Sequence, residues 1–170
     1  DQKAADPIEI IEEAIRSVEP SATGRHQTVQ NASHGICPPV WVDVDMIHRV
    51  LINLLENAIK FTPVGGAIEI GAMAEGIFVK LWVRDNGPGI PAADQGRVFD
   101  KFTRLRGKDK PGGLGVGLAF CKLAVQGHGG EIWVESELAN GTTFWLTLPV
   151  SQKKLTGKLK RKTGRLEMKE

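Results

Sequence analysis

The stretch NLLENAIKF, Asn53–Phe61, decides how the rest of the chain is read. Its apolar residues continue a series, Ile47, Val50, Leu51, Leu54 and Ala58, whose steps of three and four residues mark a helix with one buried face. Asn53, Asn57 and Lys60 follow the same period on another face, where two amides and an ammonium make a polar stripe. Such a stripe either faces water or holds something rich in oxygen and negative charge. The segment therefore predicts a helix ending near Lys60, where TPVGG stops it, and poses a question that the flanking segments must answer.

Upstream, Ile8, Ile11, Ile15 and Val18 form one stripe, predicting a helix from Pro7 to Val18. Asp6 is its cap, Pro7 takes the first helical position, and Glu9 completes a capping box. RHQTVQNA reads as a strand. ICPPVWVDVD reads as a Pro-rich connection, with either Asp43 or Asp45 capping the next helix. Downstream, AIEIGA and IFVKLWVR alternate, the second placing Ile77, Val79, Leu81 and Val83 on one face, with a hairpin turn at AMAEG. DNGPGIP is a loop by composition, followed by a short amphipathic helix around AADQGRVFDKF. TRLRGKDKPGG is polar and without periodicity, a mobile connection. Val116, Ala119, Phe120, Leu123 and Ala124 restore helical spacing, and Gly127 suits a C-terminal cap. EIWVESE and TTFWLTLP close the series as a hairpin across LANG. Hairpins outnumber crossovers, so the expected fold is a two-layer α/β sandwich: a mixed, mostly antiparallel sheet with the helices on one face.

Composition narrows the function classes. At 170 residues, 41% hydrophobic and 25% charged, the chain suits one globular domain. It contains no long apolar run of membrane-spanning type and no secretory pattern. It begins at Asp1 and is expected to be a piece of a longer protein. Residues 153–170 hold eight Lys/Arg against two Glu, leaving 14 basic and 18 acidic residues in the first 152. Residues 1–152 are therefore expected to form the domain, and 153–170 a disordered basic tail. A folded part without excess positive charge argues against nucleic-acid binding. Cys37 and Cys121 have no metal-ligand spacing; Cys121, in an apolar helical run, reads as a small core residue, and a reducing, cytoplasmic setting fits both.

Three segments carry chemistry of their own. GGLGVG, Gly112–Gly117, leaves backbone amides uncovered where a helix begins, a good anion site, yet it matches neither a P-loop nor a dinucleotide fingerprint. The plainer reading is a flexible lead-in to the helix. DNGPGI, Asp85–Ile90, puts a carboxylate at a strand end next to a tight bend, able to accept from an amino group on a flat ligand; alone, it reads as a turn. In FDKF, Phe99 and Phe102 read as core.

Taken in order, NLLENAIKF, DNGPGI, FDKF, GGLGVGL and NGTTF resemble the five boxes of the sensor histidine kinase catalytic domain. That domain belongs with gyrase B, Hsp90 and MutL, whose ATP-binding fold is of the Bergerat type. The resemblance covers about residues 6 to 149. It implies that Asn57 holds Mg²⁺ through its carbonyl oxygen, with Asn53 beside it near the phosphates of ATP, and that Lys60 reaches a phosphate. Phe61 would stand against the base where the family often has Tyr. Asp85 would accept from the adenine amino group, while Gly87, Gly89 and Ile90 shape the pocket and Thr142 lies near the ring. Gly113, Gly115 and Gly117, with Leu118 in the same box, would give the phosphates their amides. Arg104 would steady the terminal phosphate, and residues 103–112 would form a lid. Asn53, Lys60 and Arg104 are thus the expected catalytic set.

The hydrolysing relatives place a Glu at the position of Asn53. An amide cannot take a proton at neutral pH, so this arrangement positions ATP without activating water. A histidine kinase also needs an acceptor histidine followed by an acidic residue, and none of His26, His34, His48 and His128 fits. The resemblance therefore implies the catalytic half of an enzyme, working on a separate dimerisation and histidine phosphotransfer domain and, beyond it, a response regulator receiver domain. No contact with nucleic acid or membrane is expected of it. The alternatives are a non-catalytic ATP sensor and a serine kinase of the anti-sigma sort, whose phosphate would survive acid.

Overall fold

A computed structural model describes residues 1–101 and 117–152. Its elements run β1 (Lys3–Ala5), α1 (Pro7–Gly24), β2 (Thr28–Asn31), β3 (Val40–Val42), α2 (Val44–Phe61), β4 (Ala67–Glu75), β5 (Phe78–Asp85), α3 (Ala92–Gln95), α4 (Gly117–Gly127), β6 (Ile132–Ser136) and β7 (Thr142–Pro149). Five strands form the main sheet in the order β2-β4-β5-β7-β6. Only β2 and β4 are parallel; the other pairs are antiparallel. β1 and β3 form a separate antiparallel pair. This is the expected two-layer α/β sandwich with a mixed, mostly antiparallel sheet.

The inner layer follows the periodicities. On α2, Ile47, Val50, Leu51, Leu54, Leu55, Ala58 and Ile59 are buried. On the sheet they meet Ile68, Ile70 and Ala72 of β4, Val79, Leu81 and Val83 of β5, and Phe144, Leu146 and Leu148 of β7. Side chains one residue out of phase point to the other face. There Trp82, Trp145 and Trp133 stand side by side on three neighbouring strands, with the Lys80 ammonium 4.6 Å from the Trp145 ring centroid and 5.4 Å from that of Trp133.

Several expectations need correction. α1 does not stop at Val18 but runs through Pro20 to Gly24. Pro20 lies on the exposed side, so the lost N–H disturbs only a solvent-facing bond, while Ala22 beyond it is buried. Asp6 caps this helix as expected, accepting from the Ile8 N–H. The Pro-rich connection contains β3, whose Val40 and Val42 are wholly buried, and β1 pairs with it. AMAEG is not a turn: β4 continues through Glu75, and Gly76 with φ +61° makes the reversal, leaving Ile77 68% exposed. The helix around AADQGRVFDKF shrinks to α3, four residues long. On α4, Leu123 faces solvent while Cys121, with no exposed surface, takes its place in the core. Left-handed geometry after α4 falls to Gly129 (φ +78°), not Gly127.

Candidate functional site

The polar stripe is held in place by the two ends of α2. Asp43 caps its start, accepting from the Met46 N–H at 3.1 Å. At its end, the buried Gln27 amide donates to the carbonyls of Ile59 and Thr62 at 3.0 and 2.8 Å, satisfying groups a helix otherwise leaves orphaned. Phe61, the last helical residue, is thereby fixed beside the strand end that carries Asp85.

Asp85 closes β5, and the chain then turns back onto α2. Its carboxylate accepts from the Gly87 N–H at 2.9 Å and from the backbone of Thr142. Gly87 is required here, because a β-carbon would lie 2.8 Å from the Phe61 carbonyl oxygen. Gly89 is required twice over: its φ is +79°, and a side chain would run into the Glu137 carbonyl. The loop is braced against the β6–β7 turn. Ala139 N–H donates to the Pro88 carbonyl at 2.8 Å, and Ile90 N–H donates to Ser136 Oγ at 2.7 Å. Gln95 Nε2 donates to the carbonyls of Ile90 and Ser136 at 2.9 and 2.8 Å, fastening α3 to both.

These segments line a shallow, open recess formed by Asn57, Phe61, Asp85, Pro88, Gly89, Ile90, Thr142 and Phe144. Its walls are flat and apolar except for one amide, one hydroxyl and one carboxylate. Burial pushes the Asp85 carboxyl above its ordinary value, against the opposing pull of its two backbone donors. Among the described residues no cation pairs with it. The site thus carries an acceptor that the protein leaves partly unanswered, in a space that suits a planar ring.

The structure brings together Asn57, Phe61, Asp85, Gly89, Ile90 and Thr142, with Gly87 beneath them. Asn53 sits one turn away from Asn57, beside Gly117 at the start of α4 and near the Cys121 thiol, which donates to the Val50 carbonyl at 3.7 Å. Lys60 is exposed, and Leu118 is partly buried against the core. Phe99 packs edge-on against Phe144, with ring centroids 6.0 Å apart. Arg104, Gly113, Gly115 and the lid segment 103–112 lie outside the described residues, as does the tail 153–170. His128 is buried: Nδ1 donates to the Ala124 carbonyl at 2.6 Å, and Nε2 accepts from the Asp43 N–H at 3.1 Å. Sequence reasoning missed Ser136, Gln95 and Gln27; the signal that could have found Ser136 is its place four residues before NGTTF.

A β-sheet backed by helices, with a buried carboxylate at a strand end opposite an amide-bearing helix, is an arrangement able to hold a flat, amino-bearing ligand. Residues 42–152 match the family of histidine kinase-, DNA gyrase B- and HSP90-like ATPases, and the chain belongs to it. It is 47% identical over 114 residues to the adaptive-response sensory kinase SasA of Synechococcus sp. (strain JA-2-3B'a(2-13)), a match covering 66% of this chain and 30% of that protein. It is 40% identical over 129 residues to SasA of Nostoc sp. (strain PCC 7120 / SAG 25.82 / UTEX 2576), covering 75% and 32%. The chain thus spans about a third of the length of these relatives. Among solved structures, the nucleotide-free catalytic domain of the histidine kinase ThkA superposes with a TM-score of 0.79 at 27% identity, covering 91% of this chain and 99% of that one. Full-length ShkA in complex with AMPPNP gives 0.80 at 25% identity, covering 89% and 32%. The chain is a histidine kinase ATP-binding catalytic domain, and no helix among its described residues is long and apolar enough to cross a membrane.

Proposed function

We propose that the recess receives the adenine ring of Mg·ATP and that the domain, residues 1–152, presents the γ-phosphoryl group to a histidine on a separate dimerisation and phosphotransfer domain. The observation that carries this reading is Asp85: a buried carboxylate with no cation partner among the described residues, lining the same recess as Asn57, Phe61 and Thr142. An exocyclic amino group supplies the donor it lacks, and the ring packs between Phe61 and Ile90.

The donor set also suits magnesium. Asn57 offers a neutral carbonyl oxygen at the edge of the recess, a hard ligand of the kind Mg²⁺ accepts. Among the described residues no cluster of three or more His, Cys, Asp or Glu could hold a metal without help, so the metal is expected to arrive with the nucleotide's phosphates. Lys60 and Asn53 flank Asn57 on the same helix and face the phosphate side. Arg104, Gly113, Gly115, Gly117 and Leu118 complete the proposed phosphate end. Bound ATP supplies the transferable phosphoryl group; the protein's share is placement and charge neutralisation.

Two neighbours support partners of this kind: ThkA has been solved in complex with the response regulator TrrA, and ShkA as a full-length kinase. For this chain we infer a phosphotransfer domain and a receiver domain as partners, and a cytoplasmic setting.

Titration with a non-hydrolysable ATP analogue, with and without Mg²⁺, tests the reading. Asp85→Ala is expected to lose nucleotide binding, and Asn57→Ala to lose the effect of the metal. Unchanged behaviour in both variants would sink it. Supplying the phosphotransfer domain of a relative such as SasA should then yield an acid-labile phosphohistidine.

A further inference from the structure

Ser136 occupies a position from which one hydroxyl touches three groups around the recess. Its oxygen lies 2.7 Å from the Ile90 N–H, 2.9 Å from the Gly141 carbonyl and 2.8 Å from Thr142 Oγ1. The protons can be counted. A serine hydroxyl has one proton to give and two lone pairs to receive with. The Ile90 N–H can only donate, so it fills one lone pair. The Gly141 carbonyl can only accept, so it takes the serine proton. One lone pair remains, and it faces Thr142, whose own hydroxyl must then be the donor. All four groups are satisfied in this arrangement. In the reverse arrangement, with Ser136 donating to Thr142, the Gly141 carbonyl loses the serine proton, in a turn packed against Asp85.

We infer that Ser136 is a positioning residue that fixes the polarity of the Thr142 hydroxyl, so that Thr142 meets a ligand only as an acceptor. The inference rests on the nucleotide reading above and names what that site would select. Asp85 and Thr142 then present acceptors side by side on one wall. A purine with an amino group at position 6 offers two N–H donors to answer both, whereas a carbonyl there turns its own lone pairs toward both and leaves the ring N1–H as the one donor on that edge. Ser136, which touches no ligand itself, helps set the choice between 6-amino and 6-oxo purines.

The test is calorimetric binding of ATP and of inosine triphosphate, with Mg²⁺, to this chain and its variants. The parent is expected to prefer ATP. In Ser136→Ala the Thr142 proton is released to turn toward the recess, and the preference should narrow by about three- to tenfold, roughly the worth of one hydrogen bond. Ser136→Thr keeps the hydroxyl and should restore the parent's ratio. A merely structural role would weaken both ligands equally and leave the ratio alone, and that result would overturn the inference. If Ser136→Ala does not fold, Thr142→Val decides by sign. Loss of an acceptor narrows the preference for ATP, as expected here, whereas loss of a donor widens it and refutes the inference. Failure of the parent to bind either nucleotide would instead remove the nucleotide reading itself.

Discussion

Asp85 places two demands in opposition. Because burial raises its carboxyl, protonation favours the folded chain. The stability this group contributes is complete below its unfolded-state value and is lost as pH rises through the folded-state value. Nucleotide affinity should run the other way, since only the ionised form is purely an acceptor. Affinity for an ATP analogue is therefore expected to fall on acidification through a pH above the ordinary aspartate range, readable by calorimetry at several pH values. Asp85→Asn removes the buried charge while leaving an oxygen for the Gly87 N–H. It should bind at least about thirtyfold more weakly, yet melt no lower than the parent at neutral pH, the trade of stability for function seen at many sites. At Gly89 the constraint is purely steric. Gly89→Ala places a side chain at φ +79° against the Glu137 carbonyl and should cost about 1–3 kcal/mol in a denaturant titration.

Among the elements, those with long periodic patterns were legible. α2 was readable from its buried residues alone, and β5 and β7 from their alternation. β1 and β3, three residues each, offer no period to read; they exist because each gives the other a partner. The apolar stripe of α1 ends at Val18, and nothing local says that Pro20 faces solvent and lets the helix run on to Gly24. Joints between elements were the least legible, since their polar partners are far apart in sequence. His128 at the end of α4 receives the N–H of the cap residue of α2, 85 positions earlier. His128→Ala would leave that part-buried N–H without its acceptor and strip the Ala124 carbonyl of its ring donor, leaving it only the backbone N–H of residue 128 at 3.2 Å. It is expected to cost about 1–3 kcal/mol, measured by chemical denaturation. On the outer face of the sheet, Gly71 of β4 stands opposite Trp82, and a β-carbon there would run into the indole ring. Gly71→Ala should cost a comparable amount through overpacking.

At the level of the whole molecule, the site is a meeting of segments spread from residue 57 to residue 144, and most of its composition was foreseeable only as a set. Singly, DNGPGI was a turn and the asparagine stripe either a wet helix face or a ligand's seat. Their order along the chain gave them meaning, and the sheet order β2-β4-β5-β7-β6 gives the reason. It seats the end of β5 beside the start of β7, so that Asp85 and Thr142 are cross-strand neighbours. What the order of motifs could not reveal was the support beneath them, supplied by Ser136, Gln95 and Gln27. If the recess binds Mg·ATP, an analogue at a hundred times its dissociation constant should stabilise the fold by about 2.7 kcal/mol. A melting curve should then shift upward by about 5–10 °C for a chain of this size. The shift should shrink without Mg²⁺ in the parent and be indifferent to the metal in Asn57→Ala.

The brace between the Asp85–Ile90 loop and the β6–β7 turn has a kinetic consequence. Two glycine turns pressed backbone to backbone, pinned by the Ala139–Pro88 and Ile90–Ser136 bonds, leave the ring's half of the cleft little to rearrange. Capture of the base should then resemble a key entering a cut lock, with stopped-flow mixing of a fluorescent adenine nucleotide giving a rate that climbs linearly with concentration. Any slower, saturating phase would have its origin at the phosphate end.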